Sequence, residues 1–412
     1  MKDNYYSLYL GERLNLNHEL PEIESIIDRF EHTYIVGKTG MGKSSLLEEM
    51  AHYDISKGLA TIFIDPKGES SKKLYSLTKD KSRIHYISIE SPLVINPLHK
   101  EGYKIDNLIQ EFIQILDVLI TLTSSNPEST VLMREIISRA MKSIKRENDK
   151  NLEYLTTFLL YADVRKELKE QLPMGSELRK YWEQFDSKGS VGYQRVECAQ
   201  RVASRLLEIS TGEMKDFIIG KNELDISGIV NEGKVVLVET SRMNRNSRIY
   251  LSNLIVYAVL SYCEFAEIKE KPLMVYVDEF QIVVSMLFSE LLPRSRGSKV
   301  GFTLAHQNFQ QIPRDMLGSI FGNVGTSICF RCGDEEARRF APIFDIKAND
   351  LFNLPKYNAW VRIGTNNTLI ETYPPRLEKI PSLDIEVISK QQTELQFEHK
   401  TFNFLKERWI KY

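Results

Sequence analysis

The sequence predicts an α/β fold, a mostly parallel sheet covered by helices, with an all-helical domain inserted into it. Three observations carry that expectation. Short, near-continuous hydrophobic runs recur along the chain and alternate with stretches of helical spacing, as strands buried on both faces do. One of these runs passes straight into a glycine-rich loop and then a helix. Between residues 105 and 224 the strand-like runs give way to Leu, Ile, Lys and Glu at helical spacing.

Residues 1–30 hold a polar, strand-like start and a short helix from Ile23 to Phe30. Thr33-Tyr34-Ile35-Val36 is β-prone, Gly37 to Ser44 forms the glycine-rich loop, and Ser45 to His52 continues at helical spacing. Ala60 to Asp65 is a strand that ends in the abrupt polar turn Asp65-Pro66-Lys67-Gly68-Glu69. Ile84 to Ile87 is another, running on towards Val94-Ile95-Asn96-Pro97-Leu98. Within the helical stretch, Leu108, Phe112, Ile115 and Leu119 lie along one helix face, and Arg134 to Arg146 mixes basic residues with Ile136, Ile137 and Met141. The sheet resumes at Val235 to Thr240, and a long helix spans Arg248 to Ala266. Leu273 to Glu279 is a strand ending in two acids, and Val300 to Gln307 and Gly325 to Phe330 add two more. Strands alternating with helices imply parallel pairing through right-handed crossovers. The domains expected are a sheet domain in two parts, 1–104 and 225–378, a helical insertion, 105–224, and a tail, 379–412. Asp384 to Tyr412 reads as a polar helical tail laid on a neighbour.

Composition excludes some classes. A chain of 412 residues is too long for one ordinary core. Its 42% hydrophobic and 27% charged content is that of a soluble globular protein. A net charge of −2 gives no global basic field, so nucleic-acid binding would need a local patch or a pore shared by several subunits. Four cysteines without framework spacing point to a reducing compartment. Cys329 and Cys332 form a C-x-x-C at a strand end; with no second pair, buried thiols are the better reading than zinc. The N-terminus lacks an apolar segment of signal-peptide type, and the run Ile113 to Ile120 is too short to span a bilayer. A cytoplasmic protein without direct membrane insertion is expected.

Gly37-Lys38-Thr39-Gly40-Met41-Gly42-Lys43-Ser44 reads as a phosphate-binding P-loop, G-x-x-x-x-G-K-S. Glycines let successive backbone N–H groups turn inward around phosphate oxygens. Lys43 is placed to reach the β- and γ-phosphates, and the Ser44 hydroxyl to ligate Mg²⁺. Ser45 opens the helix whose N-terminus points at the anion. Asp278-Glu279 at the end of an apolar strand is the Walker B arrangement. Asp278 is expected to hold Mg²⁺ through water beside Ser44, and Glu279 to polarise the attacking water. The competing reading is an acidic strand end capping the next helix. Gln307 closes the next strand and is placed to sense the γ-phosphate or position water, unless it is a turn amide. His306 is the weaker candidate, because neighbouring strand residues face opposite ways. Pro293 to Lys299 reads as a short Arg-rich loop, a source of an arginine given by one subunit to the next. Arg296 is preferred to Arg294, with Arg331, Arg338 and Arg339 in reserve; a solvated basic loop is the other reading. Arg134, Arg139, Lys142, Lys145, Arg146 and Lys150 read first as a solvated helix face, and otherwise as a contact to DNA phosphates.

Taken in chain order, the P-loop, Asp65-Pro66-Lys67-Gly68-Glu69, Asn96-Pro97-Leu98, Val277-Asp278-Glu279-Phe280, the Arg296 segment and Ala305-His306-Gln307-Asn308 resemble the HerA/FtsK superfamily of ATPases. The likeness is nearest to TraG/TraD-type conjugative coupling proteins and their HerA-like cytosolic relatives, over roughly residues 7 to 375. The turn at Asp65 together with Asn96-Pro97-Leu98 discriminates it from a generic P-loop ATPase. The resemblance implies a RecA-like core, ATP and Mg²⁺ as cofactors, a homo-hexameric ring, an all-α domain at one pore mouth, and ATP-driven movement of DNA. It implies functional roles for Lys43, Ser44, Asp278, Glu279, Gln307 and Arg296. Membrane-anchored coupling proteins carry N-terminal membrane helices, whereas this sequence begins almost at the core. That suggests a cytosolic relative or one docked on a membrane-channel partner. An ATPase ring organising a relaxase or nuclease, and a viral genome-packaging motor, are the alternatives.

Overall fold

In the computed structural model, the described residues are 8–13, 21–98, 104–123, 131–146, 150–266, 270–283, 286–372, 386–388 and 390–392. The first elements are β1 (Leu8–Arg13), β2 (Pro21–Glu24), α1 (Ile26–Arg29), β3 (Thr33–Val36), α2 (Lys43–Ser56), β4 (Ala60–Asp65), α3 (Glu69–Leu77) and β5 (Ile84–Ile87). A run of helices comes next: α4 (Ile105–Thr123), α5 (Val131–Ser143), α6 (Leu152–Leu160), α7 (Ala162–Gln171), α8 (Glu177–Phe185), α9 (Ser190–Ser210) and α10 (Lys215–Ile218). Then come α11 (Ile226–Glu232), β6 (Val235–Glu239), α12 (Arg245–Phe265), β7 (Leu273–Val277), α13 (Met286–Gly297) and β8 (Val300–His306). The last are α14 (Arg314–Asn323), β9 (Thr326–Phe330), α15 (Asp334–Phe344), α16 (Ala348–Phe352), β10 (Asn358–Ile363) and β11 (Asn366–Glu371). Two compact units result. One is drawn from Met1–Ser91, Ile226–Arg242 and Val259–Tyr412, the other from Pro92–Asp225 and Met243–Ala258.

The first unit is built on an eleven-stranded sheet ordered β2-β1-β11-β10-β9-β3-β8-β7-β4-β6-β5. The seven strands from β9 to β5 are parallel. Every residue of β3, β4, β6, β7, β8 and β9 is buried, which is why these strands read as unbroken hydrophobic runs. Leu46, Leu47, Met50 and Ala51 of α2 and Leu74 of α3 pack with Phe63, Leu237 and Tyr276 in the core. The other four strands extend the sheet with antiparallel pairs. A buried ion pair braces the unit. Arg29 donates to both Asp54 oxygens at 2.7 and 2.6 Å and to the Tyr276 hydroxyl at 2.6 Å.

Two expectations are corrected by the fold. The N-terminal helix covers only Ile26–Arg29, and Ile23 lies in β2. The reason is a capping box: Asp28 N donates to Ser25 Oγ, and Ser25 N donates to the Asp28 carboxylate, so the helix starts after Ser25. Pro293 to Lys299 is no loop, because α13 runs to Gly297. Burial of Leu291, Leu292 and Ser295 holds its last turns helical despite Pro293. The described part of the C-terminal tail, within residues 386–392, packs on its own unit. Ile388 joins the core, Gln391 accepts from the Tyr75 hydroxyl at 3.0 Å, and the Gln392 side chain accepts from Tyr86 N at 3.4 Å. Residues 393–412 of that expected tail lie outside the described residues.

The second unit is helical around Trp182, which is fully buried against Phe158 and Phe185 and donates to Ser143 Oγ at 2.9 Å. Leu108, Phe112 and Ile115 are buried along α4, as their spacing implies; the Leu119 side chain lies outside the described residues. Asn96 explains the Asn-Pro-Leu motif. Its Nδ2 donates to Lys150 O at 2.9 Å and Gly220 O at 2.8 Å, and its N donates to Asn222 Oδ1 at 3.1 Å. One asparagine thus ties the two ends of the helical stretch together. The cations of α5 are engaged by acids: Arg134 with Asp117, Arg139 with Glu135 and Glu177, and Lys142 with Asp106. That neutralises much of the field that a phosphate backbone would feel, and favours the solvated-face reading of this helix.

Candidate nucleotide-binding site

Four adjacent strands, β3, β8, β7 and β4, deliver their C-terminal ends to one edge of the sheet. β3 ends in the P-loop, β8 in Gln307, β7 in Asp278-Glu279 and β4 in the Asp65 turn. In open α/β sheets ligand sites gather at that edge. Neighbouring strands lie about 4.8 Å apart, so side chains from these four ends can meet.

The P-loop is shaped for phosphate. Gly42 has φ +119°, and a Cβ there would lie 2.9 Å from the Tyr357 ring, so only glycine fits. Lys38 N donates to Arg331 O at 2.8 Å, and Tyr357 N donates to Met41 O at 3.0 Å, which anchors the loop from two directions. Gly40 also has positive φ. The Lys43 ammonium donates to Gly37 O at 2.6 Å and Lys38 O at 3.1 Å, across the loop itself. Ser44 stands in the first turn of α2, where backbone N–H groups point outward, and Ser45 comes next. Lys43, Ser44, Ser45, Lys67, Gln307 and Lys356 are among the residues that line the cleft above the loop.

Ser44 Oγ donates to Asp278 Oδ2 at 2.9 Å. A hydroxyl and a carboxylate held together at the phosphate edge form a fitting oxygen donor set for Mg²⁺, which takes one or two protein oxygens and completes its shell elsewhere. Glu279 sits beside them with φ +50°, a left-handed conformation that is costly for a residue with a Cβ. Three donors hold its carboxylate. Oε1 accepts from Gln307 Nε2 at 2.8 Å and pairs with Lys67, and Oε2 accepts from Gln281 Nε2 at 2.6 Å. Gln307 Oε1 in turn accepts from Thr39 Oγ1 at 2.8 Å, so the amide bridges the P-loop to Glu279.

The charges reflect this packing. Burial pulls the Lys43 ammonium down to about 8, against the opposing effect of Asp278 and Glu279. Burial favours the neutral form of Glu279, but hydrogen bonds from Lys67, Gln281 and Gln307 hold its pKa below the usual carboxylate value. Burial likewise works against the Lys67 ammonium, yet the Glu279 bond and the charges of Asp278, Glu279 and Asp65 hold its pKa above the ordinary lysine value. Asp65 is fully buried, and burial with the nearby Asp278 charge raises it to about 6, although it accepts from Ser71 N and Lys67 N.

The structure thus brings together Gly37, Lys38, Thr39, Gly40, Met41, Gly42, Lys43, Ser44, Ser45, Asp278, Glu279 and Gln307. Arg296 is not among them. It pairs with Glu31, just before β3, at the edge of the sheet from which the strands depart, and its side chain is 64% exposed. The seven residues of β8 separate it from Gln307, roughly 20 Å at strand rise, so it does not reach this site from its own chain. Arg294 pairs with Glu264. His306 is buried, paired with the Tyr34 hydroxyl and with Asn308 O, and burial lowers its pKa to about 4. Cys329 and Cys332 are both buried, with their sulfurs 3.6 Å apart. Sequence reasoning missed Lys67, Lys356 and Tyr357. Lys67 stands within a turn that the sequence singles out. Tyr357 immediately precedes the β10–β11 hairpin, Asn358 to Glu371.

A profile of the family described as "Helicase HerA, central domain" matches residues 23–259. A search of curated protein sequences found no match. Among solved structures, plasmid coupling protein TrwB in complex with a non-hydrolysable ATP analogue superposes with a TM-score of 0.67 at 13% identity, covering 92% of this chain and 97% of that one. The unbound bacterial conjugative coupling protein TrwBΔN70 gives 0.62 at 13%, covering 88% of each. VirB4 of Thermoanaerobacter pseudethanolicus gives 0.66 at 14%, covering 90% of this chain and 98% of that one. At such identities the likeness speaks for the fold, a RecA-like P-loop architecture. The family profile covers more than half of the chain and includes the P-loop: the chain belongs to the HerA-type P-loop ATPases, the family of the helicase HerA central domain.

Proposed function

We propose that the chain is an ATP- and Mg²⁺-dependent motor that moves DNA through a ring of identical subunits, most simply a hexamer. One observation carries the reading. Ser44 and Asp278 are bonded at 2.9 Å, and Glu279 stands next to them on a Gln307 bridge to the P-loop. A phosphate cradle, a metal donor pair and a base beside them form the minimum set for hydrolysing a phosphoanhydride. TrwB, which shares the fold, is described in complex with ADP and Mg²⁺ as well as with an ATP analogue.

In this reading the P-loop N–H groups and Lys43 bind the β- and γ-phosphates. Ser44 and Asp278 hold Mg²⁺, which when bound neutralises charge on the phosphates. Glu279 orients and deprotonates the attacking water, and Gln307 holds Glu279 in place while registering Thr39 on the loop. Arg296 supplies charge to the site of the next subunit, since its exposed guanidinium has no path to its own. Breaking its pair with Glu31 costs little, because exposed ion pairs contribute only about 0–1 kcal/mol. A ring concentrates a few cations from every subunit in one pore, so a net charge of −2 does not oppose DNA binding. The described residues include no helix long and apolar enough to cross a membrane. Work on the cytoplasmic side, beside a membrane-channel, relaxase or nuclease partner, completes the proposal.

Mass measurement in solution, with and without ATP and DNA, tests the ring. A particle of six 47.7 kDa chains that forms with ATP and retains DNA supports it. A monomer under every condition overturns it.

A further inference from the structure

Lys67 has no part in the reading above, yet it sits at the centre of the site. Its ammonium pairs with Glu279, while half of its side chain stays exposed and lines the same cleft as Lys43 and Ser44. Its backbone, by contrast, is fixed. Lys67 N donates to Asp65 Oδ1 at 3.0 Å, Ser71 N donates to Asp65 Oδ2 at 2.8 Å, and Gly68 turns with φ +81°. A Cβ at Gly68 would lie 2.6 Å from Glu239 Oε1, so the turn admits little change. A rigid turn therefore carries a long, half-exposed cationic arm between two anion positions, the Glu279 carboxylate and the phosphate cradle.

Glu279 shows the consequence. Three donors converge on its two oxygens, and its side chain is only 8% exposed. With Oε1 taken by both Lys67 and Gln307, one of them a cation, the carboxylate is a weaker acceptor for a water proton. Of its three donors, Lys67 is the one with a charge and a flexible four-carbon stem, and so the one that an incoming anion can draw away.

We propose that Lys67 is a triphosphate-sensing latch: it clamps Glu279 until a terminal phosphate enters the cleft, then transfers its ammonium to that phosphate and releases the base. The inference rests on the reading of the cleft as an ATP site. A terminal phosphate carries more charge than a carboxylate and offers three acceptor oxygens, so it competes well for one ammonium. A diphosphate leaves the clamp closed. Hydrolysis is then coupled to the presence of the γ-phosphate by the residue that detects it.

The test is a binding cycle on the full chain, titrating a non-hydrolysable ATP analogue and ADP, each with Mg²⁺. The proteins are wild type, Lys67→Met, Glu279→Gln and the double variant. ADP affinity is expected to stay within about twofold throughout, which also shows that each variant is folded. Lys67→Met is expected to weaken the analogue about tenfold, the scale of one charge-assisted hydrogen bond, and Lys67→Arg to keep part of the affinity. Glu279→Gln is expected to tighten the analogue several-fold, because Lys67 is no longer held back, and that gain is expected to vanish in the Lys67→Met background. Additive effects of the two substitutions, or an unchanged ratio of analogue to ADP affinity in Lys67→Met, would overturn the latch while leaving the nucleotide site intact. Failure of the wild type to bind either nucleotide would overturn the site reading and the latch with it.

Discussion

Replacing Gln307 with alanine isolates the bridge between the P-loop and Glu279, the proposed base. The substitution removes two hydrogen bonds, Thr39 Oγ1 to Gln307 Oε1 and Gln307 Nε2 to Glu279 Oε1, each 2.8 Å. The second is charge-assisted and worth about 1.5–3 kcal/mol; the first is neutral and worth about 1 kcal/mol. Only an interaction that differs between bound substrate and transition state changes kcat. In the proposed mechanism, holding Glu279 in line is such a contribution, whereas touching the Thr39 hydroxyl is shared by both states. Assigning about 2 kcal/mol to the charged bond gives a fall in kcat of about thirtyfold. Affinity for nucleotide should change by less than about fivefold, because Gln307 meets the loop through one neutral side chain. Phosphate release at saturating ATP, together with nucleotide titration, separates the two effects. Gln307→Glu is the companion variant. It sets a second carboxylate beside Glu279 and should depress turnover further at neutral pH. A Gln307→Ala enzyme with kcat within about threefold of wild type would rule out a positioning role for Gln307, as would a loss confined to affinity.

The same geometry gives three further outcomes. Arg29→Met strands the fully buried Asp54 and should cost about 3–5 kcal/mol in urea unfolding, while Arg29→Met combined with Asp54→Leu should recover most of it. His32 is held neutral at about 4, first by burial and also by the Arg296 charge, although the Leu292 carbonyl bond opposes the shift. Its folded pKa is below the unfolded one, so the unfolded chain takes up the proton first as pH falls. Its contribution is therefore full above about 6.5 and declines towards about 4, with about 2 kcal/mol lost by pH 5. Unfolding measured across that window should show the slope, and His32→Gln should flatten it. Finally, if Arg296 acts across the proposed ring, Arg296→Ala should abolish turnover, and mixing it with Glu279→Gln subunits should restore some, since each kind supplies what the other lacks. Normal turnover in the single variant would remove Arg296 from the mechanism.

Much of this site is legible in the amino-acid sequence alone, and the reason is physical. The strands β3, β4, β6, β7 and β8 are buried along their whole length, so the chain spells them as unbroken hydrophobic runs. Phosphate and metal chemistry then constrains the residues at the C-terminal end of each such strand, which is why Gly37 to Ser44, Asp278, Glu279 and Gln307 can be picked out one by one. The features hidden from the sequence depend on pairing across the chain. β10 is only partly buried and β11 is half exposed, and their alternation is weak beside the buried strands. Pro293 argues for a loop, but the burial of Leu291, Leu292 and Ser295 overrides it. Lys67 is visible as a letter in a turn; that it meets Glu279 depends on β4 lying directly beside β7. Arg296 shows the converse. Its place in sequence between two site elements suggests proximity, yet the chain must cross the whole of β8 before it returns to the cleft.

The claim that hydrolysis at Gly37–Ser44, Asp278 and Glu279 drives DNA is tested most directly by steady-state ATP turnover, with and without DNA, over a range of salt concentrations. DNA is expected to stimulate wild-type turnover, and the stimulation to fall steeply as salt rises, because phosphate contacts release counterions. Glu279→Gln is expected to bind ATP and DNA with almost no turnover. Turnover that is brisk in Glu279→Gln, or indifferent to DNA at every salt concentration, would contradict that claim.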